Sequence, residues 1–80
     1  ITQRAVMALE EAIDRVSALI GTRLEWTRLE AFLPATQDPA YRRSALASSF
    51  VAALELARKG RLEIAQEDAF APIHLRATCA

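Results

Sequence analysis

Few side chains in this sequence are of the types that carry out catalysis. The chain has one histidine, His74, and one cysteine, Cys79, five residues apart, with no third residue placed to orient a general base. No set of cysteines and histidines has the spacing of a zinc site. The two glycines, Gly21 and Gly60, suit helix ends rather than a phosphate-binding loop. These residue types predict a protein that is not an enzyme and that needs no cofactor or metal.

Length and composition predict one small folded domain. With 80 residues, of which 52% are apolar, the chain resembles a globular domain rather than a disordered tail. No apolar run approaches the roughly 20 residues of a membrane span, and no signal peptide is apparent. The chain begins at Ile1, within a helical pattern and without an initiator methionine. We therefore expect residues 1–80 to be a single domain and a fragment of a longer protein.

A helix is predicted over residues 2–20, where apolar side chains recur at helical spacing. The apolar stripe comprises Val6, Leu9, Ile13, Val16 and Ile20. The same spacing fits the a and d positions of a coiled-coil heptad, which leaves a coiled-coil seam as an alternative to a core-facing helix. Gly21 is placed to end the helix.

A brief strand and a short helix are predicted next. Residues 23–26 alternate polar and apolar side chains, which would place Leu24 and Trp26 on one face, with Trp26 as a core anchor. Thr27 and Glu30 have the T-x-x-E spacing of a helix capping box. Pro34 stops the helix that follows. Its predicted buried positions are Leu29, Phe32 and Leu33.

A long helix is predicted between Asp38 and Lys59, because Asp38 suits the N-cap, Pro39 the first helical position and Gly60 the C-terminal cap. Its predicted core face comprises Leu46, Phe50, Ala53, Leu54 and Ala57. Its predicted solvent side comprises Ser44, Ser48, Ala52 and Glu55. The apolar arc is wider than a small core requires. Either the first helix and the sheet pack against both flanks of the helix, or one edge of the arc contacts a partner.

Two alternating segments, 61–66 and 73–76, are predicted to pair as an antiparallel hairpin, with Leu62 and Ile64 facing inward. Residues 77–80 carry no pattern and are predicted to form a loose terminus. The order is helix, short strand, short helix, long helix and two-stranded hairpin. It predicts an α+β, mainly helical fold of the winged-helix type, in which the hairpin is the wing.

Winged helices commonly place their third helix in the major groove of DNA. The predicted solvent side of that helix has no basic residue, and its Glu55 would repel phosphate. The turn of the wing carries Glu67 and Asp68, where DNA binding favours lysine or arginine. The formal net charge is zero, whereas DNA-binding domains usually have a basic excess. A DNA-binding transcriptional regulator is therefore the alternative rather than the favoured function.

The segment from Phe50 to Leu75 carries a motif: F-x-A-x-L-E-L, a basic residue with glycine, an alternating strand, and then Q-E-x-x-F-x-x-I. The matching positions are Phe50, Ala52, Leu54, Glu55, Leu56, Lys59, Gly60, Gln66, Glu67, Phe70 and Ile73. This motif resembles the C-terminal domain of the kleisins, most closely that of the bacterial segregation and condensation protein A (ScpA) family.

The resemblance implies a non-catalytic adaptor in chromosome segregation and condensation during cell division. In kleisins this winged-helix domain docks onto the ATPase head of an SMC protein. The accessory subunit ScpB binds a linker that is outside this domain, and DNA is held by the whole complex. A cytoplasmic, nucleoid-associated location without membrane binding is implied. The candidate contacts to the SMC head are Phe50, Val51, Leu54, Phe70, Ile73 and Leu75; for Phe50 and Leu54, packing in the core is an open alternative.

Overall fold

The structure is a computed structural model that describes residues 7–78. Two α-helices pack on a three-stranded antiparallel sheet, an α+β architecture. The elements in chain order are α1 (Leu9–Ile20), β1 (Thr27–Arg28), a 3₁₀ helix (Leu29–Phe32), α2 (Pro39–Arg58), β2 (Leu62–Ala65) and β3 (His74–Ala77). The predictions for residues 2–6, Cys79 and Ala80 lie outside the described residues.

Helix α1 supplies one side of the core. The backbone of Ala8 is extended, so α1 begins at Leu9, later than the predicted start at residue 2. The side chains buried on this helix are Ala12, Val16 and Ile20. Val16 and Ile20 of the predicted stripe therefore pack in the core with α2, which favours a core-facing helix over a coiled-coil seam, whereas Leu9 of that stripe is 39% exposed. Gly21 ends the helix as predicted, with φ of 48°.

Strand β1 lies later in the chain than predicted. The Arg23 carbonyl accepts a hydrogen bond from the Ala77 N–H at 2.7 Å, and Thr27 is paired with Leu75. From Arg23 to Thr27 the chain advances by four residues, whereas the opposite positions on β3, Ala77 and Leu75, are only two residues apart. The intervening residues 24–26 must bulge away from the sheet, so the regular strand is confined to Thr27–Arg28.

Two predictions for this segment are wrong because of that bulge. Leu24 and Trp26 are 55% and 42% exposed instead of facing the core. The capping box does not form, because Thr27 belongs to β1 and its hydroxyl donates to the Glu25 carbonyl at 3.2 Å. The N-cap position of the 3₁₀ helix is Arg28, which makes no side-chain cap.

The short helix is present in 3₁₀ form and holds the predicted core residues. Leu29, Phe32 and Leu33 are all buried. Arg15 of α1 donates from Nε to the Phe32 carbonyl at 2.8 Å. This bond satisfies a carbonyl at the end of the 3₁₀ helix and ties that helix to α1.

Both ends of α2 form as predicted. The Asp38 carboxylate accepts a hydrogen bond from the Ala40 N–H at 3.0 Å, and Pro39 occupies the first helical position. The helix ends at Arg58. Gly60 takes φ of 76°, the left-handed conformation that a C-terminal glycine allows.

The buried face of α2 differs from the predicted one. The buried residues are Ala45, Ser49, Ala52, Ala53 and Leu56. Of the predicted core face, Leu46, Phe50 and Leu54 are 36%, 36% and 46% exposed, whereas Ala53 is buried and Ala57 packs against the core. Small side chains allow two helix backbones to approach closely, and larger ones hold them apart. The tertiary packing therefore selects the small side chains of α2 for the core.

The predicted solvent side of α2 faces the N-terminal end of α1. Ser44 accepts a hydrogen bond from the Met7 N–H at 3.0 Å. The Ser48 hydroxyl donates to the Met7 carbonyl at 2.8 Å. Ala52 is buried. The prediction of a solvent-facing surface is therefore wrong for Ser44, Ser48 and Ala52, which pack within the domain, whereas Glu55 is partly exposed.

The predicted hairpin is confirmed as β2 and β3, with Ile64 opposite Leu75 in an antiparallel register. Strand β3 is central, since β1 pairs along its other edge. The predicted loose terminus is wrong at Ala77, which closes β3 and is 5% exposed. Its backbone is held by the bond to Arg23 described above.

Ser48 and Ser49 form a matched pair for stability measurements. Ser48→Ala removes the bond to Met7, and we expect it to lower the free energy of unfolding by about 1 kcal/mol. The Ser49 hydroxyl is buried and has no hydrogen-bond partner among residues 7–78, so Ser49→Ala should leave that free energy unchanged or raise it. Urea unfolding followed by circular dichroism measures both. A larger loss for Ser49→Ala than for Ser48→Ala would contradict this account.

Candidate protein-docking surface

Five of the candidate partner contacts lie at or near the surface, and one does not. Phe50, Val51 and Leu54 are 36%, 44% and 46% exposed on α2. Phe70 is fully exposed between β2 and β3, whereas Ile73 packs partly against the core. Leu75 has no exposed surface, because it points to the inner face of the central strand. Its prediction as a partner contact is therefore wrong.

Helix α2 presents a continuous apolar surface, which we term the helix stripe and define as Leu46, Phe50, Val51 and Leu54. Their spacing of four, one and three residues places them on one side of the helix. The stripe extends about 12 Å at 1.5 Å per residue. Leu46 was missed as a surface residue because it was assigned to the core face. Leu46 belongs to the stripe because the opposite side of α2, with Ala45 and Ser49, is the buried one.

A groove separates the helix stripe from the β2–β3 hairpin. It has a volume of about 560 Å³. Leu46 and Phe50 line it from α2, and Ile73 and Phe70 line it from the hairpin side. The fold thus brings together apolar candidates that lie about 20 residues apart in sequence. An apolar surface of this kind, exposed on a small domain, is typical of a protein-interaction site.

Three charged residues line the groove: Arg28 and Glu30, which lie close together, and the exposed Arg43, which forms no salt bridge within residues 7–78. At one rim, Arg28 and Glu30 approach to 3.6 Å. Beyond Leu54, Arg58 forms a salt bridge with Glu55 at 2.8 Å. The Arg58 guanidinium, through its hydrogen bonds and its charge, lowers the pKa of the Glu55 carboxyl. Glu55 therefore stays ionised and paired at neutral pH, and it adds little net charge beside the stripe.

The loop of the hairpin has a defined backbone conformation. The Ala71 N–H donates to the Asp68 carbonyl at 3.0 Å, which closes a four-residue turn. The Gln66 side chain donates from Nε2 to the Ala71 carbonyl at 2.9 Å. Phe70 is the third residue of the turn and takes φ of 66°. The turn therefore holds Phe70 at the edge of the groove.

The outer face of the sheet is occupied by contacts within the domain. The Arg76 guanidinium lies 4.4 Å from the ring centroid of Trp26, a cation–π contact. Arg76 also bonds to Glu63 across the β2–β3 pair at 2.7 Å. The sequence-based assignment of Trp26 to the core is wrong because the bulge before β1 carries it to this outer face. Its ring covers Arg76 there.

The histidine and carboxylate side chains of the described residues are scattered over the domain. Within residues 7–78, no group of three or more histidine, cysteine, aspartate or glutamate side chains is placed to hold a metal ion. His74 is half-buried in β3 beside Arg28, to which its strand position is paired. None of the helices in this part of the chain is long and apolar enough to cross a membrane.

No protein-family model matches the chain, and no curated protein matches it in sequence.

Leu54 and Leu56 test which side of α2 is the surface, since the same residue type occurs two positions apart. Leu54 is 46% exposed and Leu56 is 3% exposed. We expect Leu56→Ala to lower the free energy of unfolding by about 2–5 kcal/mol and Leu54→Ala by less than about 1 kcal/mol. Chemical denaturation measures both losses. Equal losses, or a larger loss for Leu54→Ala, would contradict the structure and support the core face predicted from the sequence, which includes Leu54.

Proposed function

We propose that this chain is a winged-helix domain of the kleisin type, similar to the C-terminal domain of the ScpA family, and that it docks on the ATPase head of an SMC protein. The domain acts as an adaptor in chromosome segregation and condensation and carries out no catalysis itself. ScpB is a partner of the complete complex through regions outside this domain. DNA is held indirectly, by the complex, at the nucleoid in the cytoplasm.

The order of elements supports the winged-helix part of the proposal. A helix, a short strand, a short helix and a long helix precede the hairpin, and the short strand joins that hairpin as a third strand. In this arrangement the 3₁₀ helix and α2 correspond to the helix-turn-helix. The β2–β3 hairpin corresponds to the wing.

The observation that carries the proposal is the exposed helix stripe beside the groove. Two residues of the kleisin-like motif, Phe50 and Leu54, belong to the stripe, and two more, Phe70 and Ile73, line the hairpin side of the groove. Leu56, by contrast, is a core residue of the motif. The motif thus includes surface residues that the fold itself does not require, as expected of a docking surface.

The same stripe argues against the alternative, a DNA-binding regulator. A helix in the major groove presents its exposed side to base edges and phosphates, and favourable contacts there need hydrogen-bond donors and cations. On α2 that side carries Leu46, Phe50, Val51 and Leu54, while the hairpin loop carries Glu67 and Asp68. Burying leucine and phenylalanine against phosphate would desolvate the phosphate without compensation.

Isothermal titration calorimetry with the ATPase head of the cognate SMC protein tests the proposal directly. We expect micromolar or tighter binding by the unaltered chain, weakened about tenfold or more by Val51→Asp or Leu54→Asp, because a carboxylate is introduced into a desolvated contact. Leu19→Asp is the matched control, since Leu19 is 41% exposed on α1, away from the helix stripe. It should leave the affinity within about twofold.

The absence of binding by the unaltered chain at micromolar concentrations would refute SMC docking. Equal weakening by Leu19→Asp would refute the assignment of the contact to the helix stripe.

A duplex-binding measurement separates the DNA alternative. At low salt, fluorescence anisotropy with a labelled duplex should show no binding by this domain, because the exposed middle of α2 is apolar and the hairpin loop carries Glu67 and Asp68. Binding that weakens steeply as salt is raised would instead favour the DNA-binding regulator.

A further inference from the structure

Phe70 combines two unfavourable features that the domain itself does not offset. Its side chain is completely exposed, at 102% of the reference area. Its backbone takes φ of 66°, a left-handed conformation that is uncommon for a bulky residue other than glycine. Phe70 is the one non-glycine residue with positive φ among residues 7–78. Such an arrangement is typical of a functional constraint rather than of a residue that stabilises the fold.

The turn that carries Phe70 is held by two hydrogen bonds to a single residue. The N–H of Ala71 donates to the Asp68 carbonyl, and its carbonyl accepts from the Gln66 side chain, at 3.0 Å and 2.9 Å respectively. Gln66 precedes the turn, directly after the end of β2. Its amide therefore connects the end of the strand to the residue that follows Phe70 and limits the directions that the ring can take.

We propose that Phe70 is an anchor that inserts into an apolar pocket of the protein partner, and that Gln66 is the positioning residue that orients it. This inference rests on the proposed docking function and names the residue that makes the deepest contact. Large aromatic side chains that enter a desolvated pocket carry a disproportionate share of binding energy. Fixing their orientation before binding reduces the ordering cost of association.

The charges of the loop indicate which kind of partner receives the anchor. Residues 66–73 include Glu67 and Asp68 and contain no cationic side chain. Anionic lipid surfaces and nucleic acid would repel these two carboxylates, which are both exposed. A protein pocket that is apolar inside and cationic at its rim matches both the ring and the carboxylates. Phe70 also borders the groove beside Phe50, so the anchor and the helix stripe form one continuous contact.

A double-mutant cycle on binding to the cognate SMC head tests both roles. We expect Phe70→Ala to weaken binding about 30-fold and Gln66→Met about fivefold, since methionine keeps the length of glutamine but cannot donate to Ala71. In the Phe70→Ala background, Gln66→Met should have no further effect, because there is no ring left to orient. Val51→Asp, which acts at another point of the contact, should still weaken binding in that background.

The outcomes of this cycle are distinguishable from a failure of the proposed function. Binding of the Phe70→Ala variant with unchanged affinity overturns the anchor and leaves SMC docking in place. An equal effect of Gln66→Met in both backgrounds overturns the positioning role, because a residue that only stabilises the domain would act independently of Phe70. The absence of binding by the unaltered chain overturns docking and anchor together.

Two measurements without the SMC head complete the test. Phe70→Gly should melt about 4 °C or more above Phe70→Ala, because glycine adopts positive φ at little cost. An equal or lower melting temperature for Phe70→Gly would overturn the constrained conformation. Sedimentation with vesicles of phosphatidylserine and phosphatidylcholine should show no binding, and Phe70-dependent binding to these vesicles would overturn the choice of a protein partner.

Discussion

The close contact between α1 and α2 is the constraint on which the rest of the structure depends. The buried side of α2 is built from small residues, Ala45, Ser49 and Ala52 among them, and it shares one core with Ala12 and Val16 of α1. Small side chains permit short interhelical distances, and the domain has too few residues to fill a wider gap. The hydrogen bonds of two serines to the chain just before α1 fix the same contact at its N-terminal end.

Four of the five buried residues of α2 are small, and its larger apolar residues, Leu56 excepted, face outward. Leu46, Phe50 and Leu54 would be expected in a core on hydropathy alone, yet each is more than a third exposed. The result is a domain whose largest apolar surface lies beside its hairpin. On the outer face of the sheet, by contrast, Trp26, Arg76 and Glu63 satisfy one another. The polar groups of Arg76 and Glu63 are thus paired within the domain, whereas the helix stripe stays exposed.

Local rules predicted much of the fold because the deciding interactions there are between residues close in sequence. Asp38 with Pro39 began α2, Gly21 and Gly60 ended the two helices, and alternation located β2 and β3. The same rules failed at the segment before β1. There the capping box was overridden by pairing with β3, about 50 residues later in the chain, and no short-range pattern encodes that pairing.

The candidate site, too, has features that the sequence predicts and features that depend on tertiary packing. The sequence by itself determined that α2 is a helix with surplus apolar residues, that Phe70 lies in a loop, and that catalytic groups are scarce. It did not determine which side of α2 is buried, since apolar residues are spread around the whole helix and hydropathy alone does not distinguish them. Only the tertiary structure decided this, because side-chain size selects the residues that fit between α1 and α2. The same packing placed Leu75 in the core and left the helix stripe exposed.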